Sequence, residues 1–355
     1  MKSKLRMSNI IPNMRDLKPR REEDKPINII KKCQMENRPV LIAGPMVRYS
    51  KLPFRQLLRN YNVDIVYSPM ILAREFVRNK QARISDFTTN NDDRSLIVQL
   101  GVNNVTDLLR CVEMIHPYVD GIGLNCGCPI KEQVREGIGA ALMNNKELVS
   151  QMVFAVKEKW GDKICIETKI RVHDDINETI EFVKMVEDAG VDFITVHGRT
   201  KNTRSSQPVN LDKIKKIKEI ARVPIIANGD CFTIDDVSKI QNFTNCDGVM
   251  AVRGILNNPG LFAGYEKCPW GAIEKFWDYS TSYGLQFKLI QHHLSCMMEG
   301  LIKRKLHIEL NECSDLISLL EWFDNNFELK RPGDKGFGLG VSVPIRENRS
   351  NLANL

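Results

Sequence analysis

From residue 39 to residue 252 the chain repeats one pattern. A short, nearly unbroken apolar run is followed by a longer stretch whose apolar residues recur every three or four positions. The runs are 39–43, 64–67, 96–100, 121–124, 164–169, 193–196, 224–227 and 248–252. Continuous apolar runs of this length predict strands buried on both faces, and the amphipathic stretches predict helices that lay one face on them. Helix starts are marked. Asp175 and Glu178 stand three apart around Ile176, with Ile180, Val183 and Val186 following on one face. Asn210 precedes Leu211, Ile214 and Ile217, Thr233 and Asp236 precede Val237 and Ile240, and Asn144 or Asn145 precedes Leu148, Met152, Val153 and Val156. These are capping residues ahead of apolar faces, and Gly190 is placed to end a helix. Eight strands alternating with helices predict an α/β chain folded as a (β/α)8 TIM barrel. A doubly wound open sheet would want a Gly-x-Gly-x-x-Gly turn after an early strand, and there is none.

The flanks read differently. Residues 1–36 show no sustained period and carry Pro12, Pro19 and Pro26, which predicts a flexible arm. That arm is basic: residues 1–40 hold eleven Lys and Arg against five Asp and Glu, within a net charge of +7 for the chain. A basic arm suits a polyanionic partner, or is simply a solvated tail. The barrel is expected over 37–262 and a helical domain over 263–327. In the latter, Phe287, Ile290, Leu294, Met297 and Leu301 predict one helix face, and Leu316, Ile317, Leu320 and Phe323 another. The glycines and proline after residue 328 predict a disordered tail over 328–355. At 43% hydrophobic and 27% charged, the composition is that of an ordinary globular protein. No apolar run is long enough to span a membrane, and Met1 to Arg6 lack the apolar segment of a secretory signal, so an intracellular protein, cytoplasmic or nuclear, is expected. Ten scattered cysteines, several inside strand-like runs, fit a reducing compartment, and their spacing predicts no structural metal. A monomer is expected.

Chemistry in such a barrel gathers where strands end. The ends carry, in order, Gly44-Pro45-Met46, Ser68-Pro69-Met70, Gln99, Asn125-Cys126-Gly127-Cys128, Lys169 and Arg171, His197-Gly198-Arg199, Asn228-Gly229-Asp230, and Val252-Arg253-Gly254. Any one could be incidental; polar and Gly/Pro residues converge at nearly all eight positions. Glycine-freed backbone N–H groups, Arg253 and a helix start in the last two loops suit a phosphate. Gln99, Lys169 and His197 would then face a planar ring with carbonyls and ring nitrogens. A cation beside a conjugated ring stabilises the negative charge that appears on reduction. A phosphate with a reducible heterocycle describes FMN. A thiol near that ring, mostly protonated at a pKa of roughly 8.5, can give a proton to carbon. Cys128, set in a turn between Gly127 and Pro129, has the stronger claim, and Cys126 reads as packing.

Ala43-Gly44-Pro45-Met46, Val98-Gln99-Leu100, Asn125-Cys126-Gly127-Cys128-Pro129, Gly137-Ile138-Gly139-Ala140-Ala141-Leu142, Lys169-Ile170-Arg171, Val196-His197-Gly198-Arg199-Thr200 and Ala227-Asn228-Gly229-Asp230 resemble the tRNA-dihydrouridine synthase family, in order over residues 39–260. Pro45-Met46-Val47-Arg48-Tyr49-Ser50 and His173-Asp174-Asp175 resemble its eukaryotic branch four, which acts at positions 20a and 20b of the tRNA D-loop. The resemblance implies that NADPH (or NADH) reduces FMN, that hydride passes to C6 of uracil, and that Cys128 protonates C5. It implies FMN contacts from Pro45, Met46, Val47, Gln99, Lys169, His197, Asn228, Gly229, Asp230, Val252 and Arg253. For the uracil edge the candidates are Asn125, Lys169 and Arg171. The helical domain would grip tRNA, with Lys303, Arg304 and Lys305 the first candidates. Many family members have Gly-Arg or Ala-Arg where this chain has Val252-Arg253, a bulkier side chain that would crowd a phosphate unless it points away. Two alternatives stay open: an FMN-dependent small-molecule oxidoreductase of the dihydroorotate dehydrogenase type, and an RNA-binding scaffold without catalysis.

Overall fold

The computed structural model describes residues 17–346. The chain divides into two compact units. The first comprises Met1–Leu52, Val63–Cys231 and Asp235–Val252, and the second Pro53–Asn62, Phe232–Ile234 and Arg253–Leu355.

In the first unit every expected apolar run forms a strand. The strands are β1 (Val40–Ala43), β2 (Ile65–Tyr67), β3 (Ile71–Leu72), β4 (Leu96–Gly101), β5 (Gly121–Cys126), β6 (Cys165–Arg171), β7 (Phe193–His197), β8 (Ile225–Asn228) and β9 (Gly248–Ala251). All pairings are parallel. They run from β2 through β1, β9, β8, β7, β6 and β5 to β4, and a β2–β4 pairing closes the circle. The expected (β/α)8 barrel is therefore present, with the two-residue β3 as an addition at the edge of β4. The helices start largely where their caps lie: the side chains of Asn145 and Asn210 accept from the backbone N–H of Leu148 and Lys213. Asp175 caps its helix through Asn177 N at 3.0 Å.

The barrel interior is apolar towards the strand starts. Val40, Ile42, Ile65, Tyr67, Ile97, Cys165, Phe193, Ile226 and Met250 pack there with Ile30 and Cys33. Those last two correct the expectation of a flexible arm over residues 1–36. Pro26–Met35 is a helix with Pro at its first position, where a missing N–H costs nothing, and it buries Ile30 and Cys33 against the strand starts. Burying an Ile side chain fully stabilises the fold by about 1.5–3 kcal/mol, enough to order a segment that its lysines made look solvated. Ahead of it Arg20 donates to Asp93 O at 2.6 Å and to Asp120 Oδ2 at 3.2 Å, which pins the approach. The part of the arm before residue 17 lies outside the described residues.

The second unit is helical. Its longer helices span Trp270–Ser282, Phe287–Met297, Arg304–Glu312 and Leu316–Asn326. Ile290, Leu294 and Met297 are buried as their spacing predicts. The last helix is rotated from expectation: Leu319, Trp322 and Phe323 are buried while Ile317 is 72% exposed. The aromatic rings decide the face. Trp322, Phe323, Phe327 and Trp270 stack at centroid distances of 5.1–6.3 Å, a larger gain than Ile317 could offer. The expected disordered tail is also corrected, as far as residue 346. Gly338 lies so close to Gly271 that a Cβ on the latter would stand 2.4 Å from its carbonyl, and Glu274 accepts from Lys330 N and Gly338 N. Glycine here permits close backbone packing rather than disorder. Residues 347–355 lie outside the described residues. The helical unit thus extends on both sides of the expected 263–327. Among the described residues no helix is long and apolar enough to cross a membrane.

Candidate active site

The strand register fixes what meets at the C-terminal end of the barrel. Asn125 on β5 stands beside Lys169 on β6, Arg171 beside His197 on β7, and His197 beside Asn228 on β8. Four polar side chains converge inside this ring. Asn125 Nδ2 donates to Gln99 Oε1 at 3.2 Å and lies 2.9 Å from Met70 Sδ. Lys169 Nζ donates to Asn228 Oδ1 at 2.8 Å, and Asn228 Nδ2 in turn donates to Met250 O at 3.0 Å. Gln99, Asn125 and Asn228 are all buried. Burial pulls the Lys169 ammonium below its ordinary range, and a carboxylate on the same strand, Glu167, resists that.

The cysteine loop is held from several sides. Asn125 Oδ1 accepts from both Gly127 N (3.1 Å) and Cys128 N (3.0 Å), turning the chain sharply as the strand ends. Arg171 Nε donates to Gly127 O at 2.7 Å and its Nη1 to Thr200 O at 2.9 Å, tying this loop to the one after β7. Cys128 O accepts from Ala140 N at 2.8 Å. Gly139, at φ +62°, comes so near that a Cβ there would lie 2.6 Å from Cys128 O. The Gly137–Leu142 segment is thus the support under the thiol's turn. Cys128 is partly accessible, and Cys126 is fully buried. Burial raises the Cys128 pKa, against the Ile130 N–H and the charges of Arg171 and Lys169. The thiol therefore stays protonated at neutral pH and able to donate. Burial raises Cys126 much further, and it takes no part in the mouth.

The loops after β7 and β8 interlock. Arg199, 3% exposed, reaches Asp230 with Nη2 at 2.6 and 2.5 Å from the two carboxylate oxygens and also donates through Nε to Gln207 O at 2.7 Å. Asp230 Oδ2 further accepts from Val209 N at 2.9 Å. Gly229 adopts φ +135°, and a Cβ there would stand 2.6 Å from Val209. Asp230 is thereby committed to shaping its loop. At the β1 end, Gly44 N donates to Ala251 O at 2.9 Å, and a Cβ on Gly44 would collide with Met250 and with Val252 Cγ2 at 2.8 Å. The bulk of Val252 is thus turned onto the core beside Gly44. Met46 is buried and donates from its backbone N to Ser50 Oγ at 3.0 Å, while Val47 is 46% exposed. Pro45 is partly buried. His197 ends β7 partly buried. Arg253 belongs to the second unit, where its guanidinium lies 5.1 Å over the Phe232 ring.

So Gln99, Asn125, Lys169 and Asn228 are joined in two hydrogen-bonded pairs, and Arg171 clamps the Cys128 loop. Sequence reasoning missed Tyr67, Glu167 and Thr195, which put polar groups inside the barrel below Lys169. Strand alternation held the signal, since Glu167 precedes Lys169 by two positions on one strand.

Comparison with known proteins places this arrangement among relatives. The profile of a family described as Dihydrouridine synthase (Dus) matches residues 41–350. A Saccharomyces cerevisiae protein named tRNA-dihydrouridine(20a/20b) synthase, with NAD(P)+ in its name, is 60% identical over 333 residues, which is 92% of this chain and 91% of the relative. A Schizosaccharomyces pombe protein of the same name is 48% identical over 87% of this chain and 94% of its own. A Homo sapiens protein named as like that synthase is 40% identical over 81% of this chain and 91% of its own.

Proposed function

This chain belongs to the dihydrouridine synthase family, and on that premise we propose that it reduces the C5–C6 double bond of uridine at positions 20a and 20b of the tRNA D-loop, with FMN bound in the barrel mouth and NADPH as reductant. The observation that carries the reading is the pairing of a protonated, turn-held Cys128 with the Lys169–Asn228 contact across the same mouth.

The donor set suits the cofactor. Amides from Gln99 and Asn228 and an ammonium from Lys169 match a ring edge of alternating carbonyls and nitrogens, and the Gly229 loop offers backbone for a phosphate. Bound FMN would supply hydride to C6 of the uracil ring. The chain's own groups do the rest. Cys128 Sγ gives its proton to C5. Asn125 fixes the loop that aims the thiol and, with Lys169 and Arg171, faces the uracil edge. Lys169 keeps positive charge beside the ring. Met46, Pro45 and Val47 after β1, His197 after β7 and Val252 after β9 complete the cofactor contacts in this reading, and Asp230 after β8 acts by shaping the Gly229 loop. The target base must leave the folded tRNA to reach a barrel mouth. Lys303, Arg304 and Lys305, exposed at the start of a helix in the second unit, supply phosphate contacts. In this reading the protein works inside the cell, in cytoplasm or nucleus.

The test is the oxidation of the reduced, flavin-loaded protein. Unmodified tRNA should accelerate it and acquire dihydrouridine at 20a and 20b. Equal rates with and without tRNA, or with free uridine in its place, would refute the reading.

A further inference from the structure

Two residues before Lys169 on β6, and on the same face of the strand, stands Glu167. It is fully buried inside the barrel. The hydroxyls of Tyr67 on β2 and Thr195 on β7 are buried in the same layer, and both favour the charged form of Glu167 as hydrogen-bonding neighbours. A carboxyl group in such a place is expensive unless something compensates it. Room for it exists because β5 has glycine at position 123: a Cβ there would lie 2.5 Å from Glu167 Oε2 and against Ile97 and Tyr67. The cation that acts on this carboxyl is Lys169.

We infer that Glu167 is a positioning residue acting through Lys169, whose side chain it keeps as an ammonium ion, docked on Asn228 and facing the ring that the mouth receives. The inference rests on reading that mouth as a flavin site. Its physics is simple. Buried together, the two groups share one proton, as carboxylate with ammonium or as carboxylic acid with amine, at equal net charge. Burial disfavours each charged form alone, raising the acid and lowering the base, while their attraction favours the ion pair. Without Glu167, burial and the like charge of Arg171 would both strip the proton from Lys169. The other titratable groups facing the pair are Cys126 and Cys128 from β5 and its loop, Cys165 below on β6, and Tyr67 from β2. Burial keeps all four protonated at neutral pH, so none replaces the carboxylate. A neutral amine could not stabilise negative charge on a reduced ring; an ammonium supported from below can.

The test uses the full chain carrying lysine labelled with carbon-13 beside the ammonium, titrated by NMR before and after FMN is added, with K169M to identify the resonance. In Glu167→Gln, which preserves volume, the Lys169 titration should fall by about one pH unit or more. FMN affinity should weaken at a correspondingly lower pH. An unchanged Lys169 titration in a folded Glu167→Gln variant would overturn the inference. Should that variant not fold, K169M carrying labelled glutamate gives a second reading by infrared spectroscopy. Removing the ammonium should make Glu167 a neutral acid, with a protonated-carboxyl stretch absent from the unsubstituted protein. A Glu167 signal identical in both would overturn the inference equally. Neither readout depends on tRNA, so a failed dihydrouridine assay would leave both interpretable.

Discussion

The two ends of the barrel are built from the same strands on opposite principles. At the strand starts, Ile30 and Cys33 of the Pro26–Met35 helix press onto Val40, Ile65 and Phe193, and stability comes from area removed from water. At the strand ends, Gln99, Asn125, Lys169 and Asn228 are buried or partly buried polar groups whose partners are one another. Such pairing recovers the desolvation cost but returns little net stability. The floor is therefore where the fold is made, and the mouth is where polar groups are held ready. That separation predicts that substitutions at the mouth remove chemistry and leave stability, while those at the floor do the reverse.

The largest effect should come from Cys128→Ala. General-acid steps contribute typically about 10²–10⁴-fold, so dihydrouridine formation should fall by that order, with the urea midpoint of unfolding nearly unchanged. Cys126→Ala, two residues away but facing the packed interior, should keep most activity. A comparable activity loss in both would erase the distinction between mouth and packing. Next is Ile30→Ala at the floor, which should cost about 3–4 kcal/mol, read as a lowered urea midpoint. Activity per folded molecule should be preserved; a turnover loss in proportion to the stability loss would mean that floor and mouth are coupled. Asp230→Ala falls between the two. It strands the buried Arg199 guanidinium and should cost about 3 kcal/mol, and because the same carboxylate shapes the Gly229 loop it should also weaken flavin binding.

The strands were legible because each is a continuous apolar run, a signal that is local and repeated. The two-residue Ile71–Leu72 strand was not, being too short to show any period. The Pro26–Met35 helix had a signal in Pro26, Ile27, Ile30 and Cys33, outweighed by the charge of its neighbours. Residues 328–346 had none: their order depends on Gly338 meeting Gly271, a contact set by packing far along the chain. The candidate site divides in the same way. Which residues stand at strand ends follows from the order of runs. That Asp230 is bound to Arg199, or that Asn125 spends its oxygen on the cysteine loop, does not, because those partners are fixed by strand register and loop crossing.

The smallest effect tests one of the floor's electrostatic contacts. Asp120, just before β5, has a buried side chain that accepts from Leu96 N at 2.8 Å and from Arg20 Nη1 at 3.2 Å. Burial outweighs the pull of Arg20 and pushes its pKa up to about 6, above the value of roughly 3.9 in an unfolded chain. Between those values the folded state binds more protons than the unfolded one. The contribution to stability is then full below about pH 4 and is lost as pH rises through 6. Asp120→Asn removes the titration, so the stability difference between the variant and the parent should change by about 2 kcal/mol between pH 4 and pH 7, in the sense that the parent loses ground as pH rises. Urea unfolding at several pH values measures this directly. A difference independent of pH would mean that Arg20 holds Asp120 ionised throughout, and the floor would then share with the mouth a dependence on paired charge.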